Sequence, residues 1–191
     1  MRKYHFIRFL VLTLTIVLFM GHVSAAGTVH EEDFEVLPDY SPMDTETAIT
    51  TFLRWEMKLN PAAIQGILAN MEYESGIDPT VWGDEGTSYG LCQWHESRCR
   101  SLFLFCQKNG YAPDSVIGQM WYLKQELAED YPKLLTYLQT VENCTVDAYN
   151  AAWYWCWYYE ITAQREEQAI LRGELALQTY LSIINIQNTG Q

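Results

Sequence analysis

The stretch 77–90, IDPTVWGDEGTSYG, constrains the fold of this chain more than any other, because it interrupts a pattern that is otherwise helical. It is dense in turn formers and β-friendly residues, which fits a small hairpin or an irregular loop. Before it, Asp44 reads as a helix N-cap followed by ETAITTFLRWEMKL, with Ile49, Phe52, Leu53 and Met57 at helical spacing. Asn60-Pro61 stops that helix and starts a second. In the second, Ile64, Ile67, Leu68 and Met71 form an apolar stripe, and Gly76 follows the last turn as a C′ residue. After the interruption five helical stretches are expected, beginning with GLCQWHESRCRSLFLFCQKNG and ending with QREEQAILRGELALQTYLSIIN. The expected fold is α+β and predominantly α, with six or seven helices and one small β wing in a single domain.

Charge divides the 191 residues into unequal parts. Residues 1–26 contain Arg2, Lys3 and Arg8 and no acid, and an apolar run from Phe9 to Met20 precedes the small residues VSAA. That is the layout of a secretion signal, with cleavage after Ala25 or Ala26, or of an N-terminal anchor if it stays uncleaved. Residues 27–45 read as an acidic flexible linker, 46–186 as the folded domain and 187–191 as a tail. Without the first segment the chain keeps 9 Lys+Arg against 24 acids, a net charge of −15 compared with −12 for the whole. A surface so acidic cannot track phosphates, so nucleic acid is excluded as a partner. The expected protein is secreted, or held to a membrane only through an uncleaved N-terminal segment, and is a monomer.

The five cysteines, Cys92, Cys99, Cys106, Cys144 and Cys156, leave at least one thiol outside any intramolecular pairing. If Cys92, Cys99 and Cys106 share one helix, neighbours lie about 10 Å apart along its axis and cannot be bridged to each other. Buried small hydrophobes are the expected role for most of them. Outside the first segment only His30 and His95 remain, too few for a zinc hydrolase or a Cys-His peptidase. Neither metal nor cofactor is expected.

Glu72 and Glu74 point about 200° apart on a helix, so they are not a side-by-side dyad. Extending the stripe past Met71 by three or four residues reaches Glu74 or Ser75, so Glu74 prolongs the buried face, whereas Glu72 falls towards solvent. A carboxyl in the last helical turn, near the negative end of the dipole and facing aromatics, suits a general acid. The alternative is a helix-end glutamate that accepts backbone hydrogen bonds. Asp84 and Glu85, on the turn, are candidates for a second carboxylate that activates water or stabilises positive charge, against the alternative of a plain surface turn. Thr87 and Ser88 are candidates to orient a water. Tyr89, Gln93, Trp94 and the aromatic run AAWYWCWYYE at 151–160 are candidates to contact sugar rings, although most of the run is expected in the core.

The pattern Asn70-Met71, Glu74-Ser75-Gly76, Pro79, then Ser88-Tyr89-Gly90-Leu91, Gln93-Trp94, resembles the phage tail lysozyme family of peptidoglycan hydrolases. Tyr159-Glu160 resembles that family's late Tyr-Glu motif, with Arg165 and Ala169 following on the last helix. The resemblance covers roughly residues 47–182, and its E-S-G…G-L-x-Q core is shared with lytic transglycosylases and goose-type lysozymes. It implies a lysozyme-like domain with Glu74 as general acid, Asp84 or Glu85 as second carboxylate, and Tyr159 near the substrate. The implied partner is the glycan strand of peptidoglycan. A muramidase is the first reading; a lytic transglycosylase or a non-catalytic wall-binding module are the alternatives. One departure stands out: the proline that often follows the late Tyr-Glu is replaced here by Ile161-Thr162.

Overall fold

Helix α1, Thr45–Trp55, begins where Asp44 accepts hydrogen bonds from the Thr47 N–H at 2.9 Å and the Thr47 hydroxyl at 2.8 Å. A computed structural model describes residues 38–189 of the chain. The segment read from sequence as an export signal and most of the segment read as an acidic linker lie outside the described residues. Asn60 caps α2, Pro61–Ser75, by accepting from Ala63 N–H at 3.0 Å, with Pro61 in the first turn where a missing N–H costs nothing. Gly76, at φ +61°, ends α2 in the left-handed conformation and donates its N–H to Glu72 O.

Helix α2 is more deeply placed than a simple stripe implies: every residue from Ala62 to Met71 is buried, Gln65 and Asn70 included. It is the central helix, packed most extensively against α6, Thr145–Trp155, and α7, Arg165–Thr189. Gly66 makes that approach possible. A Cβ there would lie 2.6 Å from both Ala151 Cβ and Ala152 N, so only glycine lets the two backbones come this close. Helices α3 (Ser97–Asn109), α4 (Val116–Glu129) and α5 (Pro132–Thr140) complete the bundle. Phe52, Leu53, Ile64, Leu91, Trp94, Leu102, Met120 and Trp155 contribute to one continuous core.

The wing is a three-stranded antiparallel sheet in the order β1 (Trp82–Gly83), β2 (Ser88–Tyr89), β3 (Trp94–His95). Trp82 pairs with Tyr89, and Tyr89 in turn with Trp94. The third strand corrects the expected helix from Gly90, since α3 starts only at Ser97. Gly90 (φ +74°), Gln93 (φ +42°) and Glu96 (φ +44°) all adopt positive φ, which a helix cannot contain. Gln119 enforces the first of these. Its side-chain oxygen accepts Leu91 N–H at 2.9 Å, and its amide would lie 2.6 Å from a Cβ at position 90. Cys92 therefore sits in the turn, while Cys99 and Cys106 are on α3. All five thiols are free; four are buried and Cys144 is half-buried.

At the other end of the fold, α6 passes into one π-helical turn, Cys156–Glu160, ended by Ile161 at φ +54°. Helix α7 continues to Thr189, into the stretch read from sequence as a tail. No helix among the described residues is long and apolar enough to cross a membrane.

Candidate active site

Glu74 lies one residue before the end of α2, half-buried, while Glu72 is exposed. Its Oε1 is 2.6 Å from Nη1 of Arg172, a buried residue of α7. The same Nη1 donates to Asn70 Oδ1 at 3.0 Å, and the guanidinium lies 5.4 Å from the Tyr73 ring centroid. Asn70 is itself fixed, donating to Gly66 O at 2.8 Å and Ala152 O at 3.1 Å. Three helices thus hold one cation against the last turn of α2. Ser75 ties that turn to the wing by donating to Leu91 O at 3.1 Å.

A second carboxylate, Glu160, stands on the π turn and feels the charge of Glu74. Glu160 Oε1 accepts from Trp155 Nε1 at 2.7 Å. Burial first, and the charge of Glu74 second, push the Glu160 carboxyl up to about 8, against the Trp155 hydrogen bond and the cations Arg98 and Arg172. Cys92 and Cys156 also sense both glutamates, and burial pushes both thiols up, so they stand there as neutral groups.

Asp84 and Glu85 are exposed, on a tight turn where both residues take positive φ, +48° and +56°. Asp84 is held: Ser88 Oγ donates to its Oδ2 at 2.5 Å, and His95 Nδ1 is 3.6 Å from the same oxygen. With its proton given to Asp84, Ser88 Oγ can only accept from His95 Nδ1, 3.0 Å away. Thr87 Oγ1 donates to Asp84 O at 2.7 Å and lies 3.3 Å from the same nitrogen, which therefore carries hydrogen. Glu85 makes no such bond among the described residues. No hydrogen bond or ion pair among those residues joins Glu74 to Asp84 or Glu85.

The remaining sugar-binding candidates are turned inward. Tyr89 is buried, with ring centroids of Trp82 at 4.5 Å and Phe103 at 5.2 Å. Gln93 Nε2 donates to Val81 O and Gly90 O, closing the wing on itself. Trp94 and Tyr159 are fully buried, and Trp94 Nε1 donates both to Tyr159 OH at 2.9 Å and to Glu126 Oε2 at 2.9 Å. Glu126 is a buried hub that sequence reasoning missed. It accepts a two-pronged bond from Arg98 at 2.7 and 3.0 Å and a further bond from Tyr159 OH at 2.5 Å. Burial alone would raise its carboxyl; Arg98, Tyr159 and Trp94 together hold it below the ordinary carboxylate value.

The family model described as phage tail lysozyme matches residues 44–182, from the α1 cap well into α7. The chain belongs to the phage tail lysozyme family. Family membership makes it a lysozyme-like protein that acts on peptidoglycan. No curated protein matches the chain.

Within this phage tail lysozyme fold, the arginine that meets Glu74 is Arg172. Arg165, noted from sequence as following the late Tyr-Glu pair, lies over Trp157 with its guanidinium 5.2 Å from the ring centroid. The available signal was a buried stripe on α7, Ala169, Arg172, Gly173, Ala176 and Tyr180, with one cation among small residues. Trp153 and Trp157 stack at 4.7 Å, and Tyr154 lies 4.3 Å from Tyr137. Tyr137, Tyr154, Tyr158 and Tyr131 line a groove of about 640 Å³. Glu142, Cys144 and Asp147 bring possible ligand atoms within 4.8 Å of one another near the start of α6. Asp147 Oδ2 is already engaged there by Glu142 N–H at 2.6 Å, and we assign that cluster no metal.

Proposed function

We propose that this protein is an exported muramidase that hydrolyses the β-1,4 bond between N-acetylmuramic acid and N-acetylglucosamine. The observation that carries the reading is Glu74: a half-buried carboxyl at the end of the central helix, aimed by Arg172 and accompanied by Glu160. With Glu74 protonated in the substrate complex, its proton passes to the glycosidic oxygen as the C1–O bond breaks, and the bonding pair goes to that oxygen. Water bonds to C1 and gives up a proton to the second carboxylate. For that role Asp84 is preferred to Glu85, because Ser88 and His95 orient it while its Oδ1 accepts no bond among the described residues. Trp94 and Tyr159 serve this function from the core, holding Glu126 and the wing rather than offering faces to sugar.

The test is digestion of purified peptidoglycan by wild type and Glu74→Gln, with mass spectrometry of the released muropeptides. Wild type gives hydrolysed ends, and Glu74→Gln loses nearly all activity while its circular dichroism is unchanged. A folded Glu74→Gln that still cuts overturns the assignment.

A second reading, a lytic transglycosylase, is favoured by the exposure of Asp84 and Glu85 on their turn, which leaves Glu74 as the one candidate carboxyl held within the fold. There the muramyl hydroxyl replaces water, and products are lighter by one water. Anhydro ends, together with full turnover in Asp84→Ala/Glu85→Ala, would select it.

A further inference from the structure

Tyr89 and Trp94 of the wing point inward, but the aromatic residue that begins the wing does not: Trp82 is 53% exposed. Strand β1 pairs it with Tyr89, and its ring centroid lies 4.5 Å from that of Tyr89 and 5.9 Å from that of Phe103 on α3. Tyr89 and Phe103 are themselves 5.2 Å apart. Two packed rings therefore hold the indole in place while half of its surface meets water. A fixed aromatic surface left open in this way suits a flat ligand face.

That surface lines a groove of about 700 Å³ between the wing and α3. Arg100 and Leu104, one turn apart on α3, line it as well, and Leu104 is 65% exposed. Thr87 borders it from the turn, where its Oγ1 donates to Asp84 O at 2.7 Å, so the groove adjoins the segment that carries the second carboxylate. Glu96, the acid in the lining, has its Oε1 3.8 Å from His95 Nε2. Arg100 is exposed and forms no ion pair among the described residues. In a chain of net charge −12, such a cation beside an aromatic face complements a ligand that presents a sugar ring and an anion together. Peptidoglycan joins the two in one unit, an N-acetylmuramyl residue bearing a peptide stem that ends in a carboxylate.

We propose that this groove binds the peptide-bearing N-acetylmuramyl unit of the glycan, with the sugar on Trp82 and the stem carboxylate on Arg100. The planar guanidinium offers two parallel donors to a carboxylate, and Leu104 meets the apolar side chains of the stem. A bare glycan satisfies Trp82 alone and a free peptide only Arg100 and Leu104, so the groove selects strands that keep their stems. One short-range contact of this kind, in place of a field of cations, leaves the salt dependence of cleavage shallow.

The proposal rests on peptidoglycan as substrate but not on Glu74 as general acid, and the probe separates the two. The disaccharide N-acetylglucosaminyl-N-acetylmuramic acid, with and without its pentapeptide stem, contains no bond that a muramidase cuts. It is titrated into ¹⁵N-labelled wild type, Trp82→Leu and Arg100→Met, each checked for folding by circular dichroism. In wild type the Trp82 indole N–H signal should shift with both ligands, more tightly with the stem. Trp82→Leu, which keeps an apolar contact for Tyr89 and Phe103, should raise Kd about tenfold for both ligands. Arg100→Met should raise it about tenfold for the stem-bearing ligand and leave the stem-free one unchanged. An unmoved Trp82 signal, a folded Trp82→Leu with wild-type affinity, or equal effects of Arg100→Met on both ligands overturns the proposal. So does a free pentapeptide that binds as tightly as the stem-bearing disaccharide. Cleavage of peptidoglycan by Glu74→Gln counts against the general-acid reading alone.

Discussion

Single residues carry opposite pH signatures in this protein. Glu126 is held below its unfolded value by Arg98, Tyr159 and Trp94, so its contribution is present above the ordinary carboxylate range and is lost as pH falls through its folded value. Glu160 is raised to about 8, so the folded state binds more protons than the unfolded state between the ordinary carboxylate range and pH 8. Over that window stability falls as pH rises. Thermal unfolding followed by circular dichroism should therefore give its highest Tm at mildly acidic pH, and Glu160→Gln should flatten the decline towards pH 8. Glu126→Gln should destabilise by about 3–5 kcal/mol in urea titration at neutral pH, because it leaves the Arg98 guanidinium without its counter-charge. A loss below about 1 kcal/mol would mean that the hub is peripheral.

Among the elements, the helix starts and the wing respond differently to substitution. Asp44→Ala removes two hydrogen bonds at the start of α1, an element that contributes no candidate residue, and should lower Tm slightly with cleavage activity unchanged. Gly90→Ala meets both a positive φ and the Gln119 amide, and so should cost about 1–3 kcal/mol in the same titration. It should also lower activity, since Gln119 anchors Leu91 N–H and Leu91 O holds Ser75 beside Glu74. The caps were legible because Asp44, Asn60-Pro61 and Gly76 act within one turn of themselves. The third strand was not, because GLCQWHE has a tolerable helical spacing and only Gln119, on another helix, selects the extended alternative.

At the level of the molecule, a net charge of −12 leaves cations scarce, and four of those among the described residues are already engaged. Arg98 meets Glu126, Arg172 meets Glu74, Lys124 meets Glu56 at 3.3 Å and Arg165 covers Trp157. We therefore expect binding through hydrogen bonds and aromatic faces to sugars rather than through attraction to an anionic wall. Cleavage should change less than about threefold between low and moderate salt, since exposed charges are what salt screens. A steep fall in a turbidity assay would contradict this.

The sequence by itself determined the class of fold, the helix boundaries set by caps, and the side of α2 on which Glu74 lies. All of these follow from spacings of a few residues, where backbone geometry leaves little choice. It also carried the family pattern that the match over 44–182 bears out. The tertiary structure decided which charges meet. Arg172 reaches Asn70 across 102 positions, and Tyr159 reaches Glu126 across 33. Those pairings depend on helices packing at Gly66 and on a π turn that no local spacing announces. Trp94 shows the same division: its type suggested a sugar platform, and burial against Glu126 made it a support.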